Sequence, residues 1–232
     1  MNDDAPLFSL FWENSKLNAR TAPGFAERLD EDARAATQVA QLFHPGADRA
    51  LRRPDDPLAR VMAQRESRRA FRPAPLSEAQ LGSLFYAFAH KPGAGRLLPS
   101  AGAKYPIEVF ALLFDERAIV YYNGDTHALS VVGPAPSWDE VAPSVGLTLE
   151  GAPSALFVFV AFPGRVTGRY GERGGRFLLI ECGQHAQSLA LRVAHENLAG
   201  VEAGGLHDEP FKRWLRLDRT DAAIALGYAV GT

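Results

Sequence analysis

Seven consecutive apolar residues, Ala155-Leu-Phe-Val-Phe-Val-Ala161, form a continuous run of strand length. A strand with one wet face alternates apolar and polar side chains, whereas an uninterrupted run belongs where both faces are covered. The run therefore predicts a central strand, with the rest of the chain layered above and below it. The chain has the means to do this: 232 residues, 47% hydrophobic and 22% charged, describe a globular protein with a sizeable core. The length fits one domain, or one domain with an arm.

Other elements follow from local signals. Ile107–Phe114 and Ala118–Tyr122 read as strands around the break Asp115-Glu-Arg, and Ala222–Val230 as a last strand. Asp56 before Pro57 caps a helix running to about Gln64. Ser77-Glu-Ala-Gln80 is a capping box opening a helix to about Ala89, with Leu81, Leu84, Phe85 and Phe88 as its buried stripe. A second box, Ser137-Trp-Asp-Glu140, opens a short helix that breaks near Pro143. Phe177–Leu198 is the longest predicted helix. Its polar stripe of Glu181, Gln184/His185, Ser188, Arg192 and His195 opposes Cys182, Ala186, Leu189 and Val193, which predicts solvated histidines. Residues 1–55 are expected to be an arm, helical from Phe25 through Phe43 and ended by His44-Pro45-Gly46; the main domain is expected over 56–232. Strands and helices alternate irregularly without repeats, so the class is α+β.

Several function classes drop out. A net charge of −2 gives no global basic field for nonspecific nucleic-acid binding. The single cysteine, Cys182, excludes an internal disulfide and any multi-cysteine metal site; it sits on an apolar helix face as an inert thiol and fits a reducing cytoplasm. The six histidines are scattered, so no metal site is expected. The acidic N-terminus lacks a secretory n-region, and no apolar run approaches the ~20 residues of a membrane span.

Charge placement says more than charge total. Arginine outnumbers lysine 21 to 4, and residues 49–72 hold eight arginines against Asp55, Asp56 and Glu66, a local +5. The tightest knot, Gln64-Arg-Glu-Ser-Arg-Arg-Ala-Phe-Arg72, is either a solvated charged turn or a phosphate cradle of guanidinium forks and a hydroxyl. Gly168-Arg-Tyr-Gly-Glu-Arg-Gly-Gly175 matches no nucleotide motif and reads as a flexible loop. No G-x-S-x-G nucleophile elbow occurs.

Taken in order, these segments resemble a known family. Arg65-x-Ser67-x-Arg69-x-Phe71 is similar to the R-x-S-x-[RK]-x-F signature of nitroreductase-like flavin oxidoreductases. Leu98-Pro-Ser-Ala-Gly-Ala-Lys-Tyr-Pro106 resembles their second flavin motif. With His127-Ala-Leu129 and Tyr170-Gly-Glu-Arg followed by Arg176 through Leu189, the pattern resembles the SagB-type dehydrogenase branch, which includes azoline oxidases of modified-peptide pathways.

The resemblance covers roughly residues 58–230. It implies a nitroreductase-like α+β fold, with a mixed, mostly antiparallel sheet flanked by helices, in an interlocked homodimer binding FMN at the subunit interface. By the same resemblance Arg65, Ser67 and Arg69 hold the FMN phosphate and ribityl chain. Pro99, Ser100, Gly102 and Ala103 approach the flavin from the partner subunit, and the Gly204-Gly205-Leu206 turn offers backbone N–H groups near N5 and O4. The implied activity is hydride transfer to or from flavin N5, on a small-molecule or modified-peptide substrate, with NAD(P)H as a possible electron donor. The alternatives are an NAD(P)H-dependent nitro or quinone reductase, or a non-catalytic homologue serving as a structural partner.

Three departures from the pattern stand out. Where the azoline oxidases carry a Lys-Tyr pair, this chain has Arg169-Tyr170; arginine stays protonated and cannot be a general base, which leaves Tyr170 as acid or proton relay. The sequence given stops at Thr232, so a basic contact to the phosphate from beyond the last strand is not expected. The second motif lacks the asparagine of ordinary nitroreductases.

Overall fold

The computed structural model describes residues 4–25, 27, 28, 49–91, 93 and 95–232. Of the helix expected from Phe25 to Phe43, Phe25, Glu27 and Arg28 are described and helical, and the rest lies outside the described residues. Ala155–Ala161 forms strand β6, every residue of which is buried. Its place is central: β3 (Ile107–Leu113) pairs on one side and β8 (Ala223–Gly231) on the other. Beyond β3 come β4 (Ala118–Asn123) and β5 (Ala128–Pro134), and beyond β8 comes β7 (Ala199–Ala203). The sheet order is β5-β4-β3-β6-β8-β7 and every pairing is antiparallel, while β1 (His90–Lys91) and β2 (Gly95–Arg96) pair as a separate two-stranded ribbon.

Strand alternation sends β6 side chains into two separate cores. Phe157 and Phe159 pack with Leu84, Phe85, Leu178 and Leu189, while Leu156, Val158 and Val160 pack with Phe71, Val141, Phe211 and Leu215. At about 1.5–3 kcal/mol per buried large apolar side chain, this doubly covered strand anchors both layers. Two strands carry no strong sequence signal, each for its own reason. β5 is an edge strand whose residues are mostly exposed, Val131 to 74%. β7 is built from small residues because space is short: a Cβ on Gly200 would meet the Tyr228 ring at 2.7 Å and Val193 at 2.9 Å.

The capped helices stand where their caps put them. Helix α2 (Pro57–Gln64) starts with the Ala59 N–H donating to the Asp56 carboxylate at 2.9 Å. Helix α3 (Glu78–Tyr86) opens on the Ser77/Gln80 box but stops before Ala89, because Ala87 and Phe88 turn tightly onto Leu84 and Phe85. Helix α4 (Trp138–Val141) is a single turn on the Ser137/Glu140 box.

The glycine-dense segment departs from expectation, because it is helical. Helix α5 (Gly164–Tyr170) bends at Gly171, with φ 52°, into helix α6 (Glu172–His195). Gly174 and Gly175 are buried inside α6. A Cβ on Gly174 would meet the Thr167 backbone at 2.8 Å, and one on Gly175 would enter the Phe8 ring. These glycines provide close approach, where a flexible loop was expected. Helix α1 (Pro6–Ser15) is docked there by Phe8 and by the Glu172 carboxylate, which accepts from the Leu7 and Phe8 N–H groups at 2.8 Å each. Helix α7 (Asp208–Trp214) follows β7. Among the described residues no helix is long and apolar enough to cross a membrane.

Candidate active site

The arginine knot leaves α2 as an extended segment. Arg65 has extended backbone geometry, the Arg68 N–H donates to the Gly200 carbonyl at 3.0 Å, and Ala70 bridges Glu150. In extended chain, alternate side chains share a side. The Arg68–Glu66 ion pair marks one side, so Arg65, Ser67 and Arg69 take the other. Among the described residues neither Arg65 nor Arg69 has a carboxylate within ion-pair distance. Arg65 is half-buried and its charge reaches the Tyr228 hydroxyl.

From Gly200, β7 leads to the Gly204-Gly205-Leu206 turn. Four to five residues of strand carry the chain about 13–17 Å from Gly200 to this turn. The turn is pinned by the Gly146 N–H donating to the Gly205 carbonyl at 2.8 Å. The two backbones run so close that a Cβ on Gly146 would meet the Gly205 oxygen at 2.9 Å. Gly204 is exposed with open space at its Cα. The Leu206 side chain belongs to the core, so only its backbone is left for a ligand.

The loop from Pro99 to Tyr105 is tightly built. The Ser100 hydroxyl accepts from the Tyr105 N–H at 2.8 Å, and Ala101–Ala103 make a 3-10 turn. Gly102, Ala103 and Tyr105 all have positive φ, at 58°, 54° and 45°. Two non-glycine residues in this region within one loop are a concentration of backbone strain of the sort found at binding sites. Gly102 lies against the Tyr170 hydroxyl and the Arg169 guanidinium. The structure thus brings Arg169 and Tyr170 to the loop from a separate helix, and Tyr170 is held edge-on by Phe177 at 5.1 Å.

The loop packs on α6 near Phe177, Ile180, Glu181 and Gln184, whereas Glu66 and Arg68 of the arginine segment adjoin Ala190, Val193 and Leu198. Glu181 and Val193 are twelve residues apart, about 18 Å along a helix.

Two residues of the supposed solvated stripe are buried. Glu181 is 3% exposed and His185 6%. The periodicity of α6 marks its apolar side correctly, but the loop and α5 cover part of the polar side as well. His185 stacks on Phe88 at 5.6 Å, and its Nδ1–H donates to the Glu181 carbonyl at 2.8 Å. Burial pushes its pKa down to about 4, so the ring is neutral and Nε2 is its remaining acceptor. His185 lines a cleft of about 400 Å³ with Arg96, Tyr105, Glu108 and Tyr121. Cys182 is buried, as expected of an inert thiol, and burial raises its pKa to about 12.

An antiparallel sheet between helices, a paired-arginine segment and a glycine turn define the class of the protein. The chain belongs to the Nitroreductase family, which it matches over residues 62–232; members of this family are typically FMN-dependent oxidoreductases. A nitroreductase-family protein of Methanocaldococcus jannaschii is 27% identical over 165 residues, covering 68% of this chain and 83% of the relative. The crystal structure of a nitroreductase-family protein of Ralstonia eutropha superposes with a TM-score of 0.67 at 26% identity, over 81% of this chain and 86% of that one. A chain of the Escherichia coli microcin synthetase complex McbBCD, solved with truncated pro-MccB17 bound, shares the fold at TM-score 0.66 and 20% identity, over 94% of this chain and 98% of that one. A further neighbour from Desulfovibrio desulfuricans, TM-score 0.55 and 15% identical over 77% of this chain and 87% of that one, was solved in complex with FMN.

Proposed function

We propose that the protein is an FMN-dependent oxidoreductase that works as a homodimer. Each site combines Arg65, Ser67, Arg69 and the Gly204–Leu206 turn of one subunit with the Pro99–Ala103 loop of its partner. The observation that carries this reading is the Glu66–Arg68 ion pair on an extended segment, from whose alternation Arg65, Ser67 and Arg69 take the opposite side. Two guanidiniums without carboxylate partners and a hydroxyl form a donor set that suits a phosphate dianion. The arginine segment and the loop of the same chain meet α6 at positions about 18 Å apart along its axis, which favours a site completed by a second copy.

When bound, FMN supplies hydride acceptance and donation at N5. The chain's own groups do the rest. Backbone N–H groups of the glycine turn orient the ring edge, and the small residues Gly102 and Ala103 leave room for close packing. Tyr170 offers a proton beside Gly102, while Arg169 holds a fixed positive charge that orients an anionic group. The substrate we favour is a heterocycle in a peptide-derived molecule, as in the SagB-type dehydrogenases, a reading motivated by the likeness to the microcin synthetase chain. NAD(P)H reduction of a nitro or quinone acceptor is the competing use of the same site, motivated by the family match.

Titration of the apoprotein with FMN tests the assignment. Arg65→Ala and Arg69→Ala each remove charge-assisted hydrogen bonds of about 1.5–3 kcal/mol, a loss of roughly 10–150-fold in affinity. Unchanged flavin binding in both variants would take these residues out of the site.

A further inference from the structure

Glu181 and Gln184 are one turn apart on α6 and line the same cleft of about 270 Å³, facing Pro99, Ser100 and Ala101 between Phe177 and Ile180. On each side chain the Oε1 oxygen is sealed from solvent without a hydrogen-bond partner among the described residues. Glu181 is more than nine-tenths buried. Buried acceptors in folded proteins are nearly always satisfied, so two orphans aimed into one cleft mark a place where donors arrive from outside the chain. The nearby Ser100 hydroxyl accepts from the Tyr105 N–H and donates its own O–H to the Glu181 carboxyl, which leaves Oε1 as the oxygen without a partner. The remaining lining is apolar, with Ile180 exposed to 59%. The occupant therefore has two N–H or O–H donors on an otherwise flat, apolar body.

We propose that Glu181 and Gln184 are flavin-contacting residues, accepting hydrogen bonds from the ring imide N–H and ribityl hydroxyls of an FMN whose phosphate is held by the partner subunit. This assignment rests on the FMN reading above and extends it to a helix that the flavin motifs do not include. The electrostatics agree with it. Burial raises the Glu181 pKa, with only partial relief from the Ser100 hydroxyl and the Arg96 charge, so the carboxyl is short of donors without a ligand.

The experiment measures FMN affinity, the visible flavin spectrum and the oligomeric state of the full chain. The variants are Glu181→Leu, Glu181→Gln, Gln184→Leu and Arg65→Ala, each checked for folding by circular dichroism. Glu181→Leu and Gln184→Leu are expected to weaken FMN binding about tenfold or more and to shift the flavin absorption bands. Glu181→Gln, which keeps an acceptor oxygen, is expected to restore most of the affinity. Should Glu181→Leu fail to fold, Gln184→Leu and Glu181→Gln still decide the matter by their affinity and spectra. Wild-type affinity and spectrum in the Glu181 and Gln184 variants, with Arg65→Ala impaired, would overturn this proposal and leave the FMN reading standing. Failure of the wild-type chain to take up FMN would overturn both. Loss of flavin with dissociation of the apoprotein into monomers would reassign the pair to subunit contact and also overturn it.

Discussion

Asp208, the first residue of α7, is a buried carboxylate with one oxygen unpaired among the described residues. Burial raises its pKa from 3.8 to about 6, against the pull of Lys16. Between those values the folded chain holds a proton that the unfolded chain has released. Its contribution to stability therefore falls as pH rises through the window and stays lower above it. The shift corresponds to at most about 3 kcal/mol. Asp208→Asn is expected to raise Tm at pH 7, by about 2–4 °C per kcal/mol recovered, and to change it little at pH 4. Thermal melts at both pH values check this, and an equal gain at both would place the cost elsewhere. Single residues also show what a sequence can disclose about a site. The R-x-S-x-R spacing is readable because extended chain has a fixed period of two, which the local backbone obeys. Glu181 and His185 are misread because helical periodicity separates polar from apolar residues and cannot report that a distant loop covers part of the polar side.

At the scale of elements, the same division separates local from tertiary causes. Both capping boxes and the Asp56 cap are legible because every bond they make lies within three residues. The Gly168–Gly175 segment is not legible as helix, because what glycine does there depends on Phe8 and Thr167, far away in sequence or on another helix. Gly175→Ala illustrates the balance. Alanine gains up to about 1 kcal/mol of helix propensity, while the added methyl intrudes on the Phe8 ring at an overpacking cost of about 1–3 kcal/mol. The net expectation is a loss of about 1 kcal/mol in urea unfolding, with faster hydrogen exchange across α1. In a Phe8→Ala background the same substitution is expected to stabilise; a loss of equal size in both backgrounds would dismiss the contact as its cause.

For the whole molecule, the proposed division of the site between two subunits ties flavin binding to assembly. The chain is expected to be a dimer by light scattering, and bound FMN is expected to be released as dilution drives dissociation. A monomer that binds FMN tightly would contradict the shared site. The central strand is legible from one apolar run, whereas the antiparallel pairing and the proposed second subunit enter only through the family resemblance. The way the arginine segment is tethered has a consequence for biosynthesis. Its backbone bonds to residues 150, 200 and 232, the last 160 positions after Arg72. At about 5–20 residues per second, a ribosome needs roughly 8–32 s to travel from Arg72 to Thr232. Throughout that interval the nascent chain displays its densest run of arginines with no sheet to hold them in line. The segment proposed to hold the phosphate is translated well before the last of the residues that fix its backbone.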